Sequence, residues 1–133
     1  MENKMYSISE KELNSIEQQL FNQRGIWVAE IDGRKVPTWK DYAHEIERAF
    51  RFPTPCDKSM DAYLDWMTDL SWLNAKGYAL IIKNVKDFIR SDPEKKEKVL
   101  HFFKDDILPF WQSDVEKYVV EGKAKPFNVY IIE

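Results

Sequence analysis

The sequence predicts an α/β domain in which a small three-stranded parallel sheet is covered by helices, with an extra N-terminal helix. Residues 26–31, 78–82 and 127–132 are rich in the β-branched and aromatic residues that suit strands. The segments between them carry apolar residues at helical spacing. Each connection is long enough to contain helices, so the strands are expected to lie parallel and to join by right-handed crossovers. The middle stretch, Tyr78-Ala79-Leu80-Ile81-Ile82, is apolar throughout, the pattern of a strand buried on both faces. Hydrophobic residues make up 44% of the chain and aromatic residues 14%, which argues for one packed core and against disorder.

Residues 1–25 are expected to form a helical extension and residues 26–133 the α/β domain. Ser9-Glu10-Lys11-Glu12 is a capping box, in which the serine and the glutamate each accept a free backbone N–H. Leu13, Ile16 and Leu20 follow in a narrow stripe, and Gly25 can close the helix, so residues 7–24 predict a helix on the outside of the domain. After the first strand, Asp32-Gly33 makes a turn and Thr38 caps a helix over residues 39–50. Trp39, Tyr42, Ala43, Ile46, Ala49 and Phe50 give that helix one buried face. Phe52-Pro53-Thr54-Pro55 stops it, because a residue before proline is pushed out of the α region. Residues 85–89 predict a short helix, and Ser91-Asp92-Pro93-Glu94 starts a longer one that turns Val99, Phe102 and Phe103 inward. Pro109 predicts a break or a kink, with a last helix over 110–121 ended by Gly122.

The function turns on the helix between Pro55 and Gly77, which is expected to begin near Lys58 or Ser59. Met60, Tyr63, Leu64, Met67 and Leu70 recur at helical spacing and form one apolar stripe, so Met60, Leu64 and Met67 are expected to be buried. Asp57, Asp61, Asp65 and Asp69 recur every fourth residue beside it. Like charges at that spacing repel by a few tenths of a kcal/mol per pair, about 0.2–0.5. No Lys or Arg within residues 59–75 relieves them. A solvated acidic face is the bland account of this ridge; a face held ready for a cationic partner accounts for the tolerated repulsion. Asp61 and Asp65 are accordingly expected to be exposed, and Trp66 to be partly exposed beside them.

Other chemistry finds little support. The net charge of −3 does not suit a phosphate backbone, so direct nucleic-acid binding is not expected. The four glycines are all placed at element ends, and no phosphate-cradling motif is present. His44 and His101 are isolated and Cys56 is the lone cysteine, so neither a metal site nor a bound cofactor is expected. The single cysteine suits a reducing compartment. With no long apolar run and no signal-peptide pattern at MENKMYSISEKEL, a soluble cytoplasmic protein without a membrane partner is expected.

Several of these stretches together resemble the barstar family of intracellular ribonuclease inhibitors. Ile31-Asp32-Gly33-Arg34-Lys35-Val36 resembles the family's first strand and turn, and Phe52-Pro53 its approach to the second helix. Met60-Asp61-Ala62-Tyr63-Leu64-Asp65 is similar to its apolar-Asp-Ala-x-x-Asp core, and Glu121-Gly122 with Pro126 to Ile132 to its last helix end and strand. The resemblance covers roughly residues 26–133 and implies that Asp61 and Asp65 are contact aspartates, with Ser59, Thr68 and Glu121 around them; Asp69, at the end of the acidic ridge, is expected to join them on the partner-facing side. The implied partner is a basic ribonuclease whose phosphate-binding Arg, Lys and His groups would meet these carboxylates. The chain departs from the prototype at Pro55, Leu64 and Lys117, where the resemblance would place a tyrosine, a tryptophan and an acidic residue. Two other readings remain beside this one. One is a barstar-like module for a different basic protein. The other is an enzyme with paired carboxylates, which would need one of them in a cleft.

Overall fold

The computed structural model describes residues 2–133. Its sheet has four strands where the sequence predicts three, and all neighbouring pairs are parallel. The elements run β1 Met5–Ser7, α1 Glu10–Asn22, β2 Ile26–Asp32, α2 Trp39–Ala49, α3 Met60–Met67, β3 Gly77–Lys83, α4 Pro93–Phe102, α5 Val115–Tyr118 and β4 Phe127–Ile131. The strand order is β1-β4-β3-β2.

The unforeseen strand, β1, lies along the free edge of β4, with Met5 opposite Val129 and Ser7 opposite Ile131. Its three residues are too few to show an alternating pattern, and only Met5 is even half-buried. Backbone groups hold it instead: Val129 N donates to Lys4 O at 3.0 Å and Ile8 N to Ile131 O at 2.9 Å. Asn3, buried just ahead of it, receives Phe127 N on Oδ1 (3.1 Å) and donates through Nδ2 to Leu108 O (3.2 Å) and Lys125 O (3.1 Å).

Alternation along β3 divides the core in two. Tyr78, Leu80 and Ile82 face a large cluster that includes Tyr42, Ile46, Phe50, Tyr63, Met67, Phe103 and Trp111. Ala79 and Ile81 face a smaller cluster with Leu20 and Ile132, against which Leu13 and Ile16 of α1 pack. One helix therefore covers one face and the remaining helices cover the other. The caps fall where expected. Ser9 and Glu12 cap reciprocally, Thr38 Oγ1 accepts from Asp41 N at 3.0 Å, and Asp92 Oδ1 from Lys95 N at 3.1 Å. Asp32 Oδ1 accepts from Asn84 Nδ2 (2.8 Å) and Arg34 N (3.0 Å), bonds that hold its carboxyl below the usual range. At Gly33, in the same turn, a Cβ would collide with the Asn84 carbonyl.

Two local expectations are corrected. Residues 85–89 form consecutive turns rather than a helix, because the Ile89 and Ser91 N–H groups go across to Val36 O (2.9 Å) and Pro37 O (3.0 Å). Pro109 does not break the chain. From α4 to α5 the backbone stays helical through two π-helical turns, Phe103–Ile107 and Phe110–Asp114, and widened turns of this kind can absorb a residue without an N–H. Among the described residues no helix is long and apolar enough to cross a membrane.

Candidate functional site

Helix α3 is short and is braced at both ends. Ser59 is its N-cap, with Oγ accepting from Ala62 N at 3.2 Å. Ahead of it, Trp39 Nε1 donates to Asp57 O at 2.9 Å, and the buried Cys56 N donates to Glu47 Oε1 at 2.6 Å. Behind it, Trp111 Nε1 donates to Met67 O at 2.9 Å, supplying a partner to a carbonyl the helix end leaves free. Tyr63, Met67 and Leu70 are fully buried, and the Tyr63 hydroxyl meets that of Tyr42 at 2.7 Å. Met60 and Leu64 are only half-buried, contrary to the expectation of burial. The buried stripe is centred on Tyr63 and Met67, which turns Met60 and Leu64 toward its margins.

This orientation leaves Asp61 and Asp65 exposed, one turn apart, as the spacing predicts. No ion pair forms at Asp61, Asp65, Asp69 or Glu121 among the described residues. Asp61, in the first turn, lies where the helix dipole favours a negative charge; Asp65 has no such help. Asp57 leaves the ridge: it precedes the helix, is half-buried and stands 3.9 Å from His44 Nε2. Asp69 lies past the helix end, exposed, with Oδ1 accepting from Ser71 N at 3.2 Å. The two flanking hydroxyls have opposite roles left. Ser59 oxygen is occupied by Ala62 N and its proton is available. Thr68 donates its proton to Leu64 O at 2.7 Å, and its oxygen can still accept.

Beyond α3 the surface falls into two depressions. One, of about 500 Å³, brings Thr68, Asp69 and Glu121 together with Trp111, Val119 and Lys125. Ser59, Asp61 and Asp65 do not line it. The other, a shallower groove, sets Leu64 and Thr68 against Phe110, Tyr118 and three further carboxylates, Asp105, Asp106 and Asp114. Nothing in the sequence marked these three, because their facing is set by the π-helical turns. Tyr78, its ring 5.1 Å from that of Trp111 in the first depression, has its hydroxyl buried without a hydrogen-bond partner and pushed up to about 12 by burial and then by the charge of Asp69. Lys125 Nζ sits 5.7 Å from the Tyr78 ring and 5.8 Å from the Trp111 ring, and burial lowers its pKa, with Lys123 adding to the shift.

Trp66 is half-buried, in keeping with its expected partial exposure. It packs edge-on against Trp72 at 5.3 Å and donates from Nε1 to Thr54 Oγ1 at 3.2 Å, not against α1. Cys56 offers no nucleophile here, since burial and then the neighbouring Glu47 push its thiol up to about 12.

The fold is thus a parallel α/β domain with exposed, unpaired carboxylates on a braced helix and further acids in the adjoining grooves. The model of the family described as Barstar (barnase inhibitor) matches residues 26–131, and the chain belongs to that family. The match opens at the first residue of β2, so β1 and α1 lie outside it. No curated protein and no solved structure matches significantly.

Proposed function

We propose that this protein inhibits a basic ribonuclease by seating Asp61 and Asp65 against the cationic groups of its active site. The observation that carries the reading is the pair of exposed, unpaired carboxylates on a helix whose ends are fixed by Trp39 and Trp111. A ribonuclease site is furnished with donors and positive charge for a phosphate, and a carboxylate can take the phosphate's place. Rigidity matters because little ordering entropy is then lost when the face docks. Ser59 supplies a donor and Thr68 an acceptor beside the aspartates, while Asp69 and Glu121 extend the negative field. Binding of this kind needs no cofactor and no metal. The protein acts by occupying the site and not by catalysis, and it works in the cytoplasm, where Cys56 stays reduced. Residues 1–25 serve as scaffold outside the inhibitory domain.

A second reading, a barstar-like module for another basic protein, is favoured by the acids the sequence did not mark. Asp105, Asp106 and Asp114 enlarge the negative face beyond α3. One experiment separates the two. Barnase cleavage of RNA is followed while wild type or Asp65→Ala is titrated in. The inhibitor reading expects stoichiometric loss of cleavage with wild type and a weakening of about a hundredfold or more with Asp65→Ala. Wild type that leaves cleavage untouched, yet captures a different basic protein through Asp65, establishes the module instead.

A further inference from the structure

From the last residue of α5 onward the chain exposes three consecutive apolar side chains. Tyr118 is 79% exposed, Val119 45% and Val120 93%. They are held in place by the backbone: Gly122 N donates to Val119 O at 2.9 Å, closing a tight turn with Val120 and Glu121 at its centre. Glu121 has φ +60°, a left-handed conformation that is costly for any residue but glycine. At Gly122 a Cβ would press on the Val115 carbonyl, so the turn is tied to the helix behind it. A strained turn that lifts a valine almost wholly into water gains nothing for folding.

The surroundings say what fits this patch. Val119 lines the depression that holds Asp69 and Glu121, and Tyr118 lines the groove that holds Asp105, Asp106 and Asp114. The patch therefore lies between two acidic hollows that both include Thr68 at the end of α3. Among the lining residues these five carboxylates outnumber Lys123 and Lys125. A second copy of a chain with net charge −3 would set acid against acid, and an anionic membrane would be repelled likewise.

We infer that Tyr118, Val119 and Val120 form the apolar anchor of the same interface that Asp61 and Asp65 serve, and that they seat in an apolar depression of the partner rimmed by Arg and Lys. This inference rests on the proposed binding of a basic ribonuclease. It assigns the patch the short-range part of the binding and leaves long-range attraction to the carboxylates.

The test measures binding kinetics of barnase to the full-length chain in three forms: wild type, Tyr118→Ala/Val120→Ser, and Asp65→Ala, each at two salt concentrations. All the altered side chains are exposed, so the variants fold. The expected result is a patch variant weakened about tenfold, almost wholly in the off-rate, with the salt dependence of its on-rate equal to that of wild type. A patch variant with wild-type kinetics, alongside a weakened Asp65→Ala, overturns this inference and leaves the aspartate reading intact. The converse, a weakened patch variant with Asp65→Ala unaffected, removes the aspartate reading and overturns the inference of one shared interface, leaving the patch as a contact by itself. Wild type that does not bind barnase at micromolar concentration overturns both. Sedimentation supplies the remaining outcome: self-association of wild type that the patch variant abolishes assigns the patch to a second copy and overturns the inference.

Discussion

Tyr63 does the least visible work at the acidic face and is the residue on which that face depends. It sits between Asp61 and Asp65 in sequence but points the opposite way, fully buried with its hydroxyl 2.7 Å from that of Tyr42. Trp39 meets it edge-on at 5.6 Å, and Phe88 meets Tyr42 likewise at 4.9 Å. Burial raises both phenols well above the ordinary tyrosine value, so both stay neutral and each satisfies the other. The sign for stability follows. With folded-state pKa values raised, the pair's contribution is complete below the ordinary tyrosine value and is lost as pH rises past it, because the unfolded chain ionises first. Replacing one member strands the other. Tyr63→Phe is expected to lower stability by about 1–3 kcal/mol, as is Tyr42→Phe, whereas the double substitution should cost clearly less than the sum. Denaturant midpoints of the four forms check this; strictly additive costs would show that the hydroxyl pair is not a unit.

The elements outside the family match do their work through the C-terminal half. Strand β1 covers the edge of β4 that a three-stranded sheet would leave open, and Tyr6 stacks on Tyr130 at 5.3 Å. An uncovered parallel edge is a template for unwanted pairing, so three residues of strand have a large effect for their length. Asn3 extends that role. Its side chain joins Leu108, Lys125 and Phe127, and its N–H donates to Gln112 Oε1 at 2.8 Å. It thereby ties the chain start to both the π-helical stretch and the segment that follows the 119–122 turn. Asn3→Ala is expected to cost about 1–3 kcal/mol, because it leaves the buried Phe127 N–H without its partner and removes the side-chain donor to Leu108 O and Lys125 O. Amide exchange at Phe127 should quicken accordingly. An unchanged denaturant midpoint together with unchanged exchange would show that β1 is decoration rather than structure.

For the whole molecule, what could be read from the sequence was whatever is written locally. The unbroken apolar run of β3, the caps at Ser9, Thr38 and Asp92, and the i,i+4 aspartates of α3 each carry their meaning within a few residues. Strand β1 is defined only by its neighbour, and the turns at 85–89 only by the backbone acceptors they reach. The same holds at the candidate site. The exposure of Asp61 and Asp65 was legible from spacing, whereas the bracing by Trp39 and Trp111 spans 18 and 44 residues of sequence. The convergence of Asp105, Asp106 and Asp114 on Leu64 and Thr68 depends on π-helical turns that no residue pattern announced. The unpaired carboxylates on and around α3 are proposed to draw in and hold a basic ribonuclease. Stopped-flow association with barnase, for wild type and Asp65→Ala, is the decisive experiment. As salt rises from ~0.01 M to ~0.1 M the Debye length shortens from about 30 Å to about 10 Å. The claim predicts a wild-type on-rate that falls steeply over that range, and an Asp65→Ala complex that dissociates about a hundredfold faster or more. An on-rate indifferent to salt, or an Asp65→Ala complex as long-lived as wild type, would contradict it.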